Sequence, residues 1–308
     1  MDLAMPPKYS GSLDHLEFIE VTIIGREYTT AKINDILHAS NAERQIRDLA
    51  VIISERGVCF FRAPQDGLGV EDGRPKENGL HVRPPHRDPA NVPMGNGETD
   101  ENIYVINSEA QKEMYISMIK NRPVEPKDLG REWHSDATFE NFPSDSSCLL
   151  MQETPSYGGG TLWCSGYELY GRTSLSFRAY LETLTATCAQ PVFRTASVAR
   201  IMRSCLSVFA GMGLHVSRIN DDYAYEDHMV GEYLMRLVTR NYDCVARMRW
   251  TKNGVAIWNN SCIFHAVAPD THLVPRSLRL GIRASSIGEV LYLDPNSTSR
   301  KGALGITN

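Results

Sequence analysis

Residues 131–139 read REWHSDATF, with His134 and Asp136 two positions apart and one serine between them. In extended backbone, side chains i and i+2 project to the same side. An imidazole and a carboxylate presented together can hold a divalent cation, or can simply decorate a polar strand face; the spacing permits both. A further imidazole is available downstream at His265, in IWNNSCIFHAVAP. Two histidines and a carboxylate on one face of an octahedron are the ligand set of non-haem Fe(II) oxygenases, and they leave three positions open. A zinc hydrolase can use the same residue types. Arg279 and Arg283, four apart in SLRLGIRASSIG, share one side of a predicted strand, and Arg276 lies just upstream. A planar, permanently charged guanidinium suits bidentate binding of a carboxylate.

The elements that must position these groups follow from periodicity and turn residues. Residues 38–57 read as a helix, with Ile46, Leu49, Ala50 and Ile53 on its apolar face, Ser40 or Asn41 as cap and Gly57 as its stop. A short buried strand, VCFFR, follows at 58–62. Residues 63–130 are rich in Pro, Gly and Asn and read as a lid or substrate-side insertion. Strands are predicted at 146–155, within 157–165 and at 277–288. A helix is expected over the second half of 166–188, and another at 227–242 with Met229, Tyr233, Leu234 and Leu237 on one face. CVARMRW and VAIWNN, joined through Asn253-Gly254, carry a hairpin signal. No repeat or linker divides the chain. The expectation is a single domain over 1–308, mainly β with flanking helices, built as a β-sandwich or jelly-roll.

Composition excludes several classes. The 308 residues are 42% apolar, enough for a substantial core, and the net charge of −5 comes without any basic block. Nucleic acid and anionic membrane surfaces are therefore not expected partners. The seven cysteines are odd in number and include no C-x-x-C pair, which argues against a disulfide framework or a structural zinc site. No signal peptide or membrane-spanning run is visible, so a cytoplasmic protein acting on a small molecule is expected, compatible with a homo-oligomer.

The words around the metal-ligating candidates are more specific than the tripeptide. WHSDATFENFPSDSSCLL, TPSYGGGTLWCSGYELY, AIWNNSCIFHAVAPD and RASSIGEVLYLDPNSTSR resemble, in order and spacing, the taurine/α-ketoglutarate dioxygenase family, most of all its fungal members. The resemblance runs from 49–62 to 299–304. It implies a double-stranded β-helix (jelly-roll), Fe(II) on His134, Asp136 and His265, O2 as oxidant and 2-oxoglutarate as cosubstrate. It further implies that Thr161 helps hold 2-oxoglutarate and that Arg279 grips its distal carboxylate, with Arg276 as the alternative. Arg283 would complete that site or meet an anionic substrate.

The implied reaction oxidises an unactivated C–H bond of a small, anionic or amino-acid-like metabolite, releasing succinate and CO2. Desaturation or oxidative ring closure in specialised metabolism uses the same cofactors, and a redox-silent metal-binding protein would keep the fold without turnover. His81, Arg83 and His86 are the polar candidates for substrate contact within 63–130. Two departures stand out. The family's GGDT is GGGT here, ending at Thr161, and its WDNR is Trp258-Asn259-Asn260-Ser261.

Overall fold

A computed structural model of the chain describes residues 8–65, 103–108, 133–136, 143–183, 185–188, 194–197, 224–268, 278–288 and 305. The strands in its first half are β1 (Phe18–Glu20), β2 (Arg26–Tyr28), β3 (Val58–Phe61), β4 (Ile103–Asn107), β5 (Ser144–Glu153) and β6 (Thr161–Ser165). Then follow β7 (Thr185–Cys188), β8 (Arg194–Ser197), β9 (Val245–Met248), β10 (Gly254–Asn259), β11 (Ile263–Val267) and β12 (Leu280–Ile287). The helices are α1 (Ile33–Leu37), α2 (Ala42–Arg56), α3 (Gly166–Arg172), α4 (Leu175–Thr183) and α5 (Ala224–Arg240). The larger sheet has the order β1-β2-β3-β10-β5-β12-β4, and a smaller one runs β11-β6-β9. A separate ribbon pairs β7 with β8.

Alternation along the strands builds two faces on each main sheet. From the larger sheet, Leu149, Met151, Ala256 and Trp258 meet Trp163, Ala246, Met248 and Ile263 of the smaller one. The opposite residues, among them Leu150, Val255, Ile257 and Phe61, pack on Ile33 and Ile36 of α1 and on Leu49, Ile52 and Ile53 of α2. The outer side of the smaller sheet, through Cys164, Phe264 and Ala266, is covered by Leu169, Leu181, Leu234 and Val238 from α3, α4 and α5. The layers thus run helix, sheet, sheet, helix.

Several expectations need correcting. The stretch around His134 is not a continuous strand: His134 makes a single antiparallel bridge to His265, and Asp136 lies in a turn. Asn253-Gly254 does form a tight turn, with Asn253 at φ 57 and Gly254 N–H donating to Thr251 C=O. It does not close a hairpin, because β9 pairs with β6 while β10 pairs with β3 and β5. Three bonds anchor this turn sideways instead. Asn253 N–H donates to Met151 C=O, Gln65 N–H to Asn253 C=O, and Thr251 Oγ1 to Arg62 C=O. The chain therefore changes sheets at this corner.

The helical region after β6 begins at once rather than midway. Ser165 caps α3 by accepting from Glu168 N–H, an S-x-x-E signature. Thr173, in extended backbone, then separates α3 from α4. On α2, Ala50 is exposed, and the buried residues are Gln45, Asp48, Leu49, Val51, Ile52 and Ile53. Asn41 occupies the cap position but makes no side-chain cap bond. On α5 the buried stripe is Val230, Leu234 and Val238, and Met229 is exposed. Within 63–130, Ile103–Asn107 is β4, paired with β12 at the edge of the larger sheet. The described residues include no helix long and apolar enough to cross a membrane.

Leu234 has no exposed surface, so Leu234→Ala should destabilise the fold by about 2–5 kcal/mol through lost burial and a residual cavity. Met229→Ala on the same helix should change stability by less than about 0.5 kcal/mol. Chemical denaturation of the two variants checks the assignment of faces.

Candidate metal site

His265 sits on β11 opposite Trp163 of β6, so it faces the space between the sheets. Thr161, two residues before Trp163, shares that face. His134 joins this edge by exchanging backbone hydrogen bonds with His265, at 2.9 and 2.8 Å. The two rings consequently lie 4.3 Å apart between centroids. Asp136 completes the group from the turn. His134 Nε2 lies 3.9 Å, and His265 Nε2 3.7 Å, from the same oxygen, Asp136 Oδ1. Ligand atoms of all three residues fall within 4.8 Å of one another. His134 and Asp136 therefore do converge, although a bridge and a turn bring them together rather than strand pleating.

The electrostatics suit a cation. Burial opposes charge on Asp136, but Arg283, the two imidazoles and the Ser147 hydroxyl outweigh it and hold the carboxyl well below the usual carboxylate range. Arg283 Nη1 donates to Asp136 Oδ1 at 2.6 Å, and Ser147 Oγ donates to Oδ2 at 3.1 Å. His265 is pushed down to about 3, chiefly by burial and then by His134, so it is a neutral ligand at physiological pH. Its Nδ1 is buried without a hydrogen-bond partner among the described residues. Nothing in that shell dictates the tautomer, which a cation at Nε2 would set. Two imidazoles, that of His265 neutral, and an ionised carboxylate fit a borderline divalent ion such as Fe(II).

Arg279 lies beside this group and is 4% exposed. Burial lowers its pKa to about 10, which still leaves it charged at neutral pH. Its Nε donates to Gly159 C=O at 3.2 Å and its Nη2 to Thr161 Oγ1 at 3.3 Å, and no described carboxylate answers the charge. Thr161 Oγ1 also accepts from Trp250 Nε1 at 2.9 Å. Both hydroxyl lone pairs are then occupied, so the Thr161 proton remains to be given to an anion.

The glycines before Thr161 have physical reasons. Gly159 has φ +66, and a Cβ at Gly160 would lie 2.8 Å from the Met248 carbonyl oxygen. The acidic residue of the family pattern has no room here. At the other departure, the Asn259 side chain accepts from Ser261 N–H and Ser261 Oγ within its own turn.

The structure thus brings His134, Asp136 and His265 together, joins Arg283 to Asp136, and places Arg279 against Thr161. Arg276, His81, Arg83 and His86 lie outside the described residues. Sequence reasoning missed Ser147 and Trp250. Their roles depend on cross-strand neighbours, which no local motif announces.

A family model described as "Taurine catabolism dioxygenase TauD, TfdA family" matches residues 17–279. The chain is 33% identical to the alpha-ketoglutarate-dependent dioxygenase oryG of Aspergillus oryzae, over 97% of this chain and 96% of that one. It is also 33% identical to the alpha-ketoglutarate-dependent dioxygenase btcD of Neocamarosporium betae, over 97% and 98% respectively. Among solved structures, a putative alpha-ketoglutarate-dependent taurine dioxygenase from Burkholderia xenovorans superposes with a TM-score of 0.67. That match has 20% identity and covers 92% of this chain and 96% of the other.

Because folding holds His265 below its unfolded value of about 6.5, the folded state binds fewer protons between that pH and about 3. Stability of the metal-free protein should therefore fall as pH drops through this window. Melting temperatures from pH 7 to 4 should decline less steeply in His265→Gln than in the wild type.

Proposed function

This chain belongs to the TauD, TfdA dioxygenase family, and from that premise we propose that His134, Asp136 and His265 hold the Fe(II) of a 2-oxoglutarate-dependent dioxygenase. Fe(II), when bound, supplies the redox chemistry that couples O2 and 2-oxoglutarate to oxidation of a substrate C–H bond, with succinate and CO2 as coproducts. The two packed sheets are read as the double-stranded β-helix of a single domain.

The observation that carries this reading is the buried Arg279, charged and unanswered by any described carboxylate, with a Thr161 hydroxyl left to donate beside it. A buried cation without a counter-charge is costly, and a dicarboxylate whose far end enters this corner relieves that cost. Arg279 and Thr161 fix the far end of 2-oxoglutarate, while the triad leaves open positions for its keto-acid end. A zinc hydrolase would have no use for this anion corner.

The rest of the protein orients and shields. Trp258 stands 5.0 Å from the His265 ring and closes one side of the site. Arg283 is engaged with Asp136 and lies over the Tyr104 ring at 4.9 Å. The substrate is a small metabolite, met from the 63–130 segment and from Arg283, and hydroxylation is the simplest outcome. The names of the fungal relatives identify no substrate. Desaturation or ring closure, as a second reading, rests on the altered residues around 159–160 and 259–261. The five free cysteines among the described residues suit a reducing, cytoplasmic setting.

Anaerobic addition of Fe(II) and 2-oxoglutarate should produce the weak visible charge-transfer band of a chelated keto acid. His134→Ala should abolish the band. Arg279→Ala should raise the 2-oxoglutarate concentration needed for it by about 10–100-fold, as expected for losing a charge-assisted contact. A folded, iron-loaded protein with no band would refute the proposal.

A further inference from the structure

We propose that Asn260 is a positioning residue: its amide aims the Ser147 hydroxyl, which in turn sets the orientation of Asp136. The inference rests on the reading of Asp136 as a metal ligand. It comes from following each proton along a chain of groups whose donor and acceptor capacities are fixed.

The chain begins at Trp258, whose indole N–H can only donate and does so to Asn260 Oδ1 at 2.7 Å. This contact decides which end of the amide is oxygen. The NH2 end therefore faces β5, where it donates to Ser144 Oγ at 2.9 Å and to Ser147 Oγ. Both amide hydrogens are now used. Ser147, having accepted from Asn260, must send its own proton elsewhere. Asp136 Oδ2, 3.1 Å away, can only accept. Ser285 Oγ, 2.7 Å from Ser147 Oγ, then fits as a donor to the remaining lone pair. The arrangement that satisfies every member has the Ser147 proton on the line to Asp136.

Strand register makes this geometry stiff. Ser147 on β5 is paired with Trp258 on β10 and with Ser285 on β12, so the three side chains stand abreast on one face. Trp258, Asn260, Ser144, Ser147 and Asp136 are all buried, so water does not compete for these bonds. The main chain of Asn260 works to the same end. Its C=O accepts from Ser135 Oγ at 2.7 Å, and its N–H donates to Asp145 C=O at 2.7 Å. Ser135 is the residue between His134 and Asp136, so both the side chain and the backbone of Asn260 steady the ligand-bearing segment. With Oδ2 held by Ser147, Oδ1 is the oxygen turned toward both imidazoles.

The test is Mn(II) affinity of the full-length protein, followed by electron paramagnetic resonance of the free ion, with melting temperatures recorded alongside. The variants are Asn260→Asp, Ser147→Ala and the double variant. Asn260→Asp keeps the shape but replaces the donating NH2 with an acceptor, so the Ser147 proton turns away from Asp136. Each single variant should bind Mn(II) about 10–100-fold more weakly, the usual effect of losing a partner of a metal ligand. The double variant should bind no more weakly than Ser147→Ala, because both changes remove the same bond.

A merely structural Asn260 would lower the melting temperature while the two losses of affinity multiplied, and that result overturns the proposal. So does wild-type affinity in the folded single variants. If Asn260→Asp does not fold, Trp258→Phe removes the donor that fixes the amide and keeps a ring against His265. It should then bind Mn(II) at least about 10-fold more weakly, and unchanged binding counts against the relay. A wild-type protein that takes up no Mn(II) refutes the metal reading itself, an outcome distinct from equal binding by all the variants.

Discussion

Keeping the Asp136 carboxylate ionised inside the protein is the constraint around which the inner faces of the two sheets are arranged. Burial acts against the charge, and Arg283 from β12, the imidazoles and Ser147 from β5 together overcome it. Each of these helpers comes from a different element. The carboxylate is therefore ionised only where the sheets, the ligand turn and the His134–His265 bridge are all in place. Arg283 also ties the last described strand of the larger sheet to a residue on the ligand segment. Site and fold are in this sense one object, since the charge that could hold a cation also fastens the elements around it.

Arg279 poses the opposite electrostatic problem a short way along the same sheet. Its guanidinium is buried and donates to the Gly159 carbonyl and the Thr161 hydroxyl, with no described acid. Two buried charges of opposite sign thus have different companions: among the described residues, the negative one is met by donors and the positive one by neutral acceptors alone. This asymmetry distinguishes a centre suited to a cation from a corner suited to an anion, and the two adjoin. The Gly159–Gly160 turn helps to form the corner, because the Gly159 carbonyl reaches the guanidinium at a position where a Cβ would crowd Pro155.

Helices α2 and α5, the buried strand β3 and the grouping of His134, Asp136 and His265 were legible in the sequence, but by different routes. Periodicity located α2 and α5, although Ala50 and Met229 show that it gives a face only to within a residue. Spacing alone left His134 and Asp136 ambiguous; the surrounding words favoured the metal reading, and their grouping with His265 agrees with it. The strand argument for their convergence was mistaken in mechanism, since a one-residue bridge and a turn do the work. Asn253-Gly254 is a genuine turn signal that says nothing about which strands it joins, because pairing is decided by anchors far away in the chain. Asn260 was legible only as a departure in its neighbourhood. Its partners lie on β5 and in the ligand turn, so no window of sequence contains them.

The corner at Asn253-Gly254 also bears on how the protein is made. Residues 254–259 are the strand that fits between β3 and β5, so the larger sheet has a gap until this late segment has been synthesised. During translation, Val58–Phe61, wholly apolar and destined to be fully buried, waits for a partner encoded far downstream, at residues 254–259. Sheets assembled from such distant pieces close slowly and expose unpaired edges meanwhile. The neighbour available early to β3 is β2, in the one parallel pairing among the described strands of the sheet. That pairing covers only the far edge of β3, so the edge that will meet β10 stays open, with Cys59 and Phe61 packed toward α1 and α2, until residues 254–259 arrive to complete the sheet.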